Sequence, residues 1–196
     1  MTGRRATCAS FLVDGVRPNG ASMEFRMLER REIEQIWTID RREIVERVYR
    51  LEGGDLRLGP EYHDVRGWPA ESIRTMTPLL HETFDRGGAF FAAFDSEQLV
   101  GVAVLDTVWR GIGRDLLQLE FLHVSRDYRG SGLGRRLFEQ ARSAARARGA
   151  RGLYISATPS ENTIRFYQRR GSVVLVSPDA ELLALEPEDI HLECAV

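Results

Sequence analysis

At 196 residues, with 43% of them apolar, the chain is the size of one domain and has enough apolar residues to bury a core. Its 27 basic residues, all arginines, face 29 acidic ones, leaving a formal charge of −2. The missing lysines exclude Schiff-base and phosphate-loop lysine chemistry, and the near-neutral balance argues against a nucleic-acid binder. Cys8 and Cys194 make no disulfide framework, which favours a reducing, cytoplasmic home, and no run reaches the ~20 apolar residues of a membrane span.

Residues 1–22 read as a polar arm, or as a leader ahead of an alternative start at Met23, and residues 23–196 as one domain. Alternation at Phe25 and Met27 predicts a short strand, and Ile33, Ile36 and Trp37 predict a helix after it. Asp40-Arg41-Arg42-Glu43 has capping-box spacing, yet Val48-Tyr49-Arg50-Leu51 and Leu56-Arg57-Leu58 flank Gly53-Gly54 as a hairpin would. The stretch from Gly59 to Pro69 reads as a loop. A helix is predicted from Thr77, with Pro78 at its first position, to Gly87-Gly88.

Two near-continuous apolar runs follow, Ala89 to Phe94 and Leu99 to Leu105, as paired central strands. Another strand runs from Leu116 to Val124, and a helix from Ser131 to Gly149. Leu153 to Ala157 is the next strand. Thr158-Pro159-Ser160-Glu161 predicts a capped helix ending at Gly171. Val173 to Val176 and Ile190 to Ala195 close a mixed α/β sheet.

The chemistry concentrates after Val124, in Arg129-Gly130-Ser131-Gly132-Leu133-Gly134-Arg135-Arg136. Three alternate glycines between a strand and a helix let backbone N–H groups close on a ligand, at the positive end of a helix dipole. That is a nest for a phosphate or pyrophosphate, with arginines around it. The dinucleotide fingerprint needs G-x-G-x-x-G early in a βαβ unit, whereas this pattern is G-x-G-x-G and late.

This segment resembles the GNAT superfamily of acyl-CoA-dependent N-acyltransferases, through Arg129, Gly132 and Gly134 after a strand ending in Val124, then Asn162, Phe166-Tyr167 and Gly171. The resemblance implies a mixed, mostly antiparallel sheet, splayed at its centre, flanked by helices and holding acetyl-CoA in the gap. It implies a pyrophosphate on the amides of Gly130, Ser131, Gly132, Leu133, Gly134 and Arg135, with Arg129 and Arg135 beside it. It further implies a pantetheine arm along Leu122, His123 and Val124, with the Val124 amide on the acetyl carbonyl, and Asn162 and Phe166 contributing to the coenzyme site. Tyr167 matches the tyrosine that protonates the leaving thiolate.

For the base, strict alternation puts Gln118, Glu120, Leu122 and Val124 on one strand face, and Glu120 is the one acid among them. The family position is Gln118, which accepts no proton at neutral pH, so a non-catalytic acyl-CoA-binding module competes with the enzyme. His123 reads as structural, on the other face. His63, His81 and His191 show no metal-ligand spacing, and no metal is expected. Glu188-Asp189-Ile190-His191 reads as a solvated turn. An inserted segment of about 40–76, carrying Trp37 at its edge, Tyr49, Tyr62, Trp68 and several acids, suits an ammonium-bearing small-molecule acceptor. A homodimer interface would use the same residue types, and a protein amine is the alternative acceptor.

Overall fold

A computed structural model describes residues 23–196, so the reading of residues 1–22 lies outside the described residues. The elements run β1 (Met23–Met27), a 3-10 helix (Arg30–Thr38), β2 (Glu43–Glu52), β3 (Asp55–Val65), α1 (Ala70–Asp85), β4 (Ala89–Asp95) and β5 (Gln98–Arg110). They continue with β6 (Leu116–Val124), α2 (Leu133–Ala147), β7 (Gly152–Ala157), α3 (Glu161–Gln168), β8 (Val173–Val174), α4 (Ala180–Leu185) and β9 (Ile190–Ala195).

Seven strands form one sheet in the order β1-β4-β5-β6-β7-β9-β8, and β2 and β3 form a separate hairpin. Every pairing in the large sheet is antiparallel except β6 with β7, which pair only from Leu116–Gln118 to Gly152–Tyr154. Beyond Gln118 the two strands diverge, so Leu119 to Val124 has no strand partner on that side among the described residues. This is the expected central splay.

Helices cover both faces, which is why the central strands are apolar on both sides. On the first face, Leu133, Leu137, Phe138, Ala141 and Ala145 of α2 and Ile164 of α3 pack with Leu117, Leu119, Ala103, Leu153 and Leu192. On the second, Ile33 and Ile36 of the 3-10 helix and Leu80 of α1 pack with Phe90, Phe94, Val102, Val104 and Phe121. Farther along that second face, Leu182 of α4 covers Leu116 and Tyr154.

Four local readings need correction. The helix read from Thr77 begins at Ala70, with Pro78 inside it. Its first turn is secured by the Ile73 N–H on the Pro69 carbonyl (3.1 Å), and buried Leu80 offsets the proline's cost of ~3 kcal/mol. The loop read from Gly59 is instead the second half of β3. Pro60 fits there because a two-stranded sheet leaves each strand a free edge, and the register slips between Val45 and Arg47 opposite it. The cap of α3 is Ser160 rather than Thr158: its side chain accepts the Thr163 N–H, and the carbonyl of the preceding Pro159 accepts the Tyr49 N–H at 2.8 Å. The helix α4 was not expected; Asp179 caps it, accepting from Glu181 and Leu182 amides. At Gly53-Gly54 the hairpin forms as read, with φ of 60° and 92° at its two turn residues.

Candidate active site

The glycine nest follows from backbone conformation. Gly130 and Gly132 have φ of 76° and 88°, where an L side chain is strained, and a Cβ at either would meet nothing within 4 Å. Neither amide makes a backbone hydrogen bond among the described residues. Gly134 differs: a Cβ there would stand 3.3 Å from Phe166 and 3.5 Å from Val124, so it lets the first turn of α2 sit close on both β6 and α3. Gly132 is the N-cap of α2 and supplies no side-chain acceptor, and no acid lies in the first turn. Leu133 is buried in the core and can offer only its amide.

Arg135 is exposed beside this turn, against the sign of the helix dipole, an arrangement that favours an anionic ligand. A further cation there, Arg170, was not among the arginines expected from the sequence. Arg170 lies over the Phe166 ring at 3.4 Å, and burial together with Arg135 depresses its pKa. Its spacing of four from Phe166 on one helical surface was the available signal.

Arg129 and Asn162 both engage Glu43. The Arg129 guanidinium donates to the Val124 carbonyl (Nε, 3.1 Å), the Arg42 carbonyl (3.2 Å) and the Glu43 carboxylate (3.4 Å). Asn162 Nδ2 donates to the other Glu43 oxygen at 2.9 Å. Glu43, at the start of β2, thus joins two residues expected to serve the coenzyme. Upstream of it, Asp40 is held to the end of β6 by Arg126 N–H on its carbonyl and its own N–H on Ser125 Oγ. Downstream, Val48 and Tyr49 dock on Pro159 and Ser160 at the end of β7. The hairpin straps the two diverging strands together at the mouth of the splay.

The register of β6 decides which groups face the gap. Ser125 N–H bonds the Val100 carbonyl at 2.8 Å and Gly101 is opposite Val124. By antiparallel alternation, the N–H groups of Val124 and Leu122 then point away from β5, into the splay. The His123 main chain points to β5 instead, so its amide is not on the free edge of β6. Its side chain packs edge-on against Trp68 (4.7 Å) and Phe121 (5.4 Å) on the second face. Burial pushes the imidazole down to about 3, with Arg41 and Arg129 adding to the shift. Neutral His123 belongs to an aromatic wall with Trp37 and Trp68, over which Arg41 stacks at 4.7 Å.

The parity expectation for Glu120 is overturned by a bulge. Val104 is opposite Phe121 and Leu105 opposite Leu119, so Glu120 is an extra residue with no β5 partner. Gln118 and Glu120 therefore lie on the second face with Phe121 and His123, while Leu122 and Val124 pack against the first-face core. Glu120 accepts from Thr83 Oγ1 of α1 at 2.9 Å. Burial pushes its carboxyl up to about 7, against that hydroxyl, and nearby Asp106 adds to the rise. A carboxylate poised near neutrality suits a base. Gln118 is held by Arg110 Nε at 3.0 Å, and Arg110 in turn reaches Asp179 and Glu181.

Tyr167 projects from α3 into the first-face core, against Phe138 and Phe166. Burial raises its pKa above the ordinary phenol value, and its hydroxyl has no hydrogen-bond partner among the described residues. It stays protonated at any working pH, as a donor must. Asp189 was read as part of a solvated turn, but it accepts from Ser156 Oγ at 2.9 Å, and burial pushes it up to about 6. His191 packs with Tyr154, whose hydroxyl lies 2.6 Å from its Nδ1.

The sequence profile of the acetyltransferase (GNAT) family matches residues 46–171. No curated protein matches the chain by sequence. Among solved structures it is similar to a nourseothricin acetyltransferase, with 20% identity, a TM-score of 0.65, and coverage of 88% of this chain and 98% of that one. It is also similar to the PaiA N-acetyltransferase from Thermoplasma acidophilum, solved with coenzyme A (16% identity, TM-score 0.60, 89% and 99% covered). A ribosomal-protein alanine N-acetyltransferase from Escherichia coli aligns at 17% identity and a TM-score of 0.56, covering 89% and 94%. At these identities the likeness is one of fold. No described helix is long and apolar enough to cross a membrane.

Proposed function

Since the chain belongs to the GNAT acetyltransferase family, we propose that it moves an acetyl group from acetyl-CoA directly to a primary amine, within a ternary complex in the cytoplasm. The observation that carries this reading is the position of Glu120: a near-neutral carboxylate on the sheet face opposite the glycine nest, where the splay begins. Coenzyme and acceptor then approach from opposite faces and meet in the gap.

On this reading the open amides of Gly130 to Arg135 take the pyrophosphate, with Arg135 and Arg170 as neighbouring cations and Phe166 against the same turn. The arm pairs with the free edge of β6. The Val124 amide lies four strand residues from Glu120, roughly 13 Å, too far to serve a carbonyl attacked beside that base. The Leu122 amide, two residues away or roughly 7 Å, fits better as the oxyanion donor, a role typically worth ~3 kcal/mol.

Glu120 takes one proton from the acceptor ammonium, directly or through water. The free amine adds to the thioester carbonyl, and the Leu122 N–H stabilises the oxyanion. As the C–S bond breaks, the Tyr167 hydroxyl protonates the sulfur. The nitrogen's second proton passes to the phenolate, directly or through water, and Glu120 releases its own proton to solvent, so the products are amide, free thiol and one proton.

A small-molecule amine is the preferred acceptor, because the hairpin and the segment before it bridge the end of β6 and the residues after β7, across the mouth of the splay. The nourseothricin enzyme in this fold names one such acceptor for itself, and the ribosomal-protein enzyme names a protein acceptor. Gln118, engaged by Arg110, offers no base, so the enzymatic reading over the non-catalytic alternative rests on the Glu120 carboxylate. Incubation with acetyl-CoA and a panel of primary amines should release thiol in step with acetylated product. Coenzyme binding without thiol release for any amine or amino-terminal peptide would overturn the enzymatic reading.

A further inference from the structure

The second face carries a hydrogen-bonded chain that ends on Glu120. Asp106 of β5, 2% exposed, accepts two hydrogen bonds from Arg86 at the C-cap of α1, at 2.8 Å from Nε and 2.7 Å from Nη2. The same Nη2 donates to Thr83 Oγ1 at 2.8 Å, and Thr83 Oγ1 lies 2.9 Å from Glu120 Oε2. A guanidinium has only donors and a hydroxyl only one hydrogen. With Arg86 donating to it, Thr83 is oriented to donate its hydrogen to Glu120.

Thr83 is itself fixed. It is fully buried, its carbonyl accepts the Gly88 N–H at 2.8 Å, and a Cβ on Gly88 would come within 2.6 Å of it. That close return requires glycine at position 88. Arg86 sits where a cation favours the helix dipole. The bulge at Glu120 turns its carboxyl toward this chain rather than across the sheet with Leu122. The charged groups around Glu120 are Arg86 from α1 and Asp106 and Arg110 from β5, with neutral His123 farther along the same face.

We propose that Thr83, oriented by Arg86 and through it by Asp106, is a positioning residue that fixes Glu120 by one oxygen and leaves Oε1 to face the acceptor amine. This rests on the reading of Glu120 as the base. The two ends of the chain act on the base in opposite senses. The Thr83 hydroxyl favours the carboxylate, whereas the Asp106 charge disfavours it and neutralises Arg86.

The test is the acid limb of the pH–rate profile, measured as thiol release at saturating acetyl-CoA and amine. Thr83→Val should move the limb up by about one pH unit, and Asp106→Asn should move it down. Thr83→Ser, which keeps the hydroxyl, should restore the parent limb. Carbon-13 titration of the Glu120 carboxyl in the folded variants gives the same shifts without relying on turnover. If Asp106→Asn does not fold, the Thr83 pair decides alone. A Thr83→Val protein that binds acetyl-CoA normally, with limb and titration unmoved, overturns the proposal; so does a Thr83→Ser protein that shifts as far as Thr83→Val. Failure of the base reading looks different: Glu120→Gln would then keep full activity and the parent limb.

Discussion

The two faces of β6 are built in different ways. On the first face, a contiguous run from Val124 to Arg135 forms the nest, and its geometry follows from where the glycines stand. On the second, Thr83, Arg86, Asp106 and Glu120 come from α1, β5 and β6, and one inserted residue decides that Glu120 belongs with them. A backbone-built site is specified locally and, on the proposed reading, serves a ligand that can be gripped by its phosphates and its amide-bearing arm. A side-chain-built site is specified only by the fold, and can be tuned to its own acceptor without disturbing the other face.

The comparison breaks if substitutions on one face produce the other face's signature. Glu120→Gln should give the largest effect, a fall in kcat of roughly 10²–10⁴, with the acetyl-CoA Kd unchanged by calorimetry. Equal losses in both would mean that Glu120 shapes the coenzyme site. Gly132→Val forces a branched side chain into left-handed backbone, costing about 1–3 kcal/mol. Acetyl-CoA binding should weaken by roughly 10- to 100-fold in titration, while kcat at saturation changes little.

Tyr167→Phe should lower kcat by about tenfold, less than loss of the base, because a thiolate with an ordinary pKa of ~8.5 leaves readily without help. A parent rate in that variant would return Tyr167 to the role of a core aromatic. The smallest effect belongs to the strap. Glu43 engages Arg129 and Asn162, so Glu43→Gln should free both and lower the acetyl-CoA KM by about two- to fivefold. A raised KM would show instead that the strap holds those residues where the coenzyme needs them.

The contrast between the faces also explains what could be read from sequence. The sheet strands from Ala89 onward, the long helix and the nest were legible because apolar runs, glycines and a helix start are local signals. The bulge was not: Leu119 and Phe121 are both apolar, so a slip between them leaves the alternation looking intact while carrying Glu120 to the other face. The start of α1 was obscured by Pro78, which reads as a first-turn residue but lies in the interior. The second half of β3 was hidden by Gly59-Pro60, which becomes strand only because β2 supplies a partner. Glu43, Thr83, Arg86 and Asp106 carry no local mark of function, since their roles arise from contacts between segments far apart in the chain.

On the proposed reading two substrates arrive on opposite faces and are bound together for transfer, and the one free cysteine among the described residues, Cys194 of β9, is buried in the first-face core with Arg170 and Ala195 carbonyls near its sulfur. The direct test is an initial-rate matrix in which acetyl-CoA and the acceptor amine are varied against each other. The account predicts double-reciprocal lines that intersect, the pattern of a ternary complex. Parallel lines, with acetyl retained on the protein after acetyl-CoA alone, would contradict it.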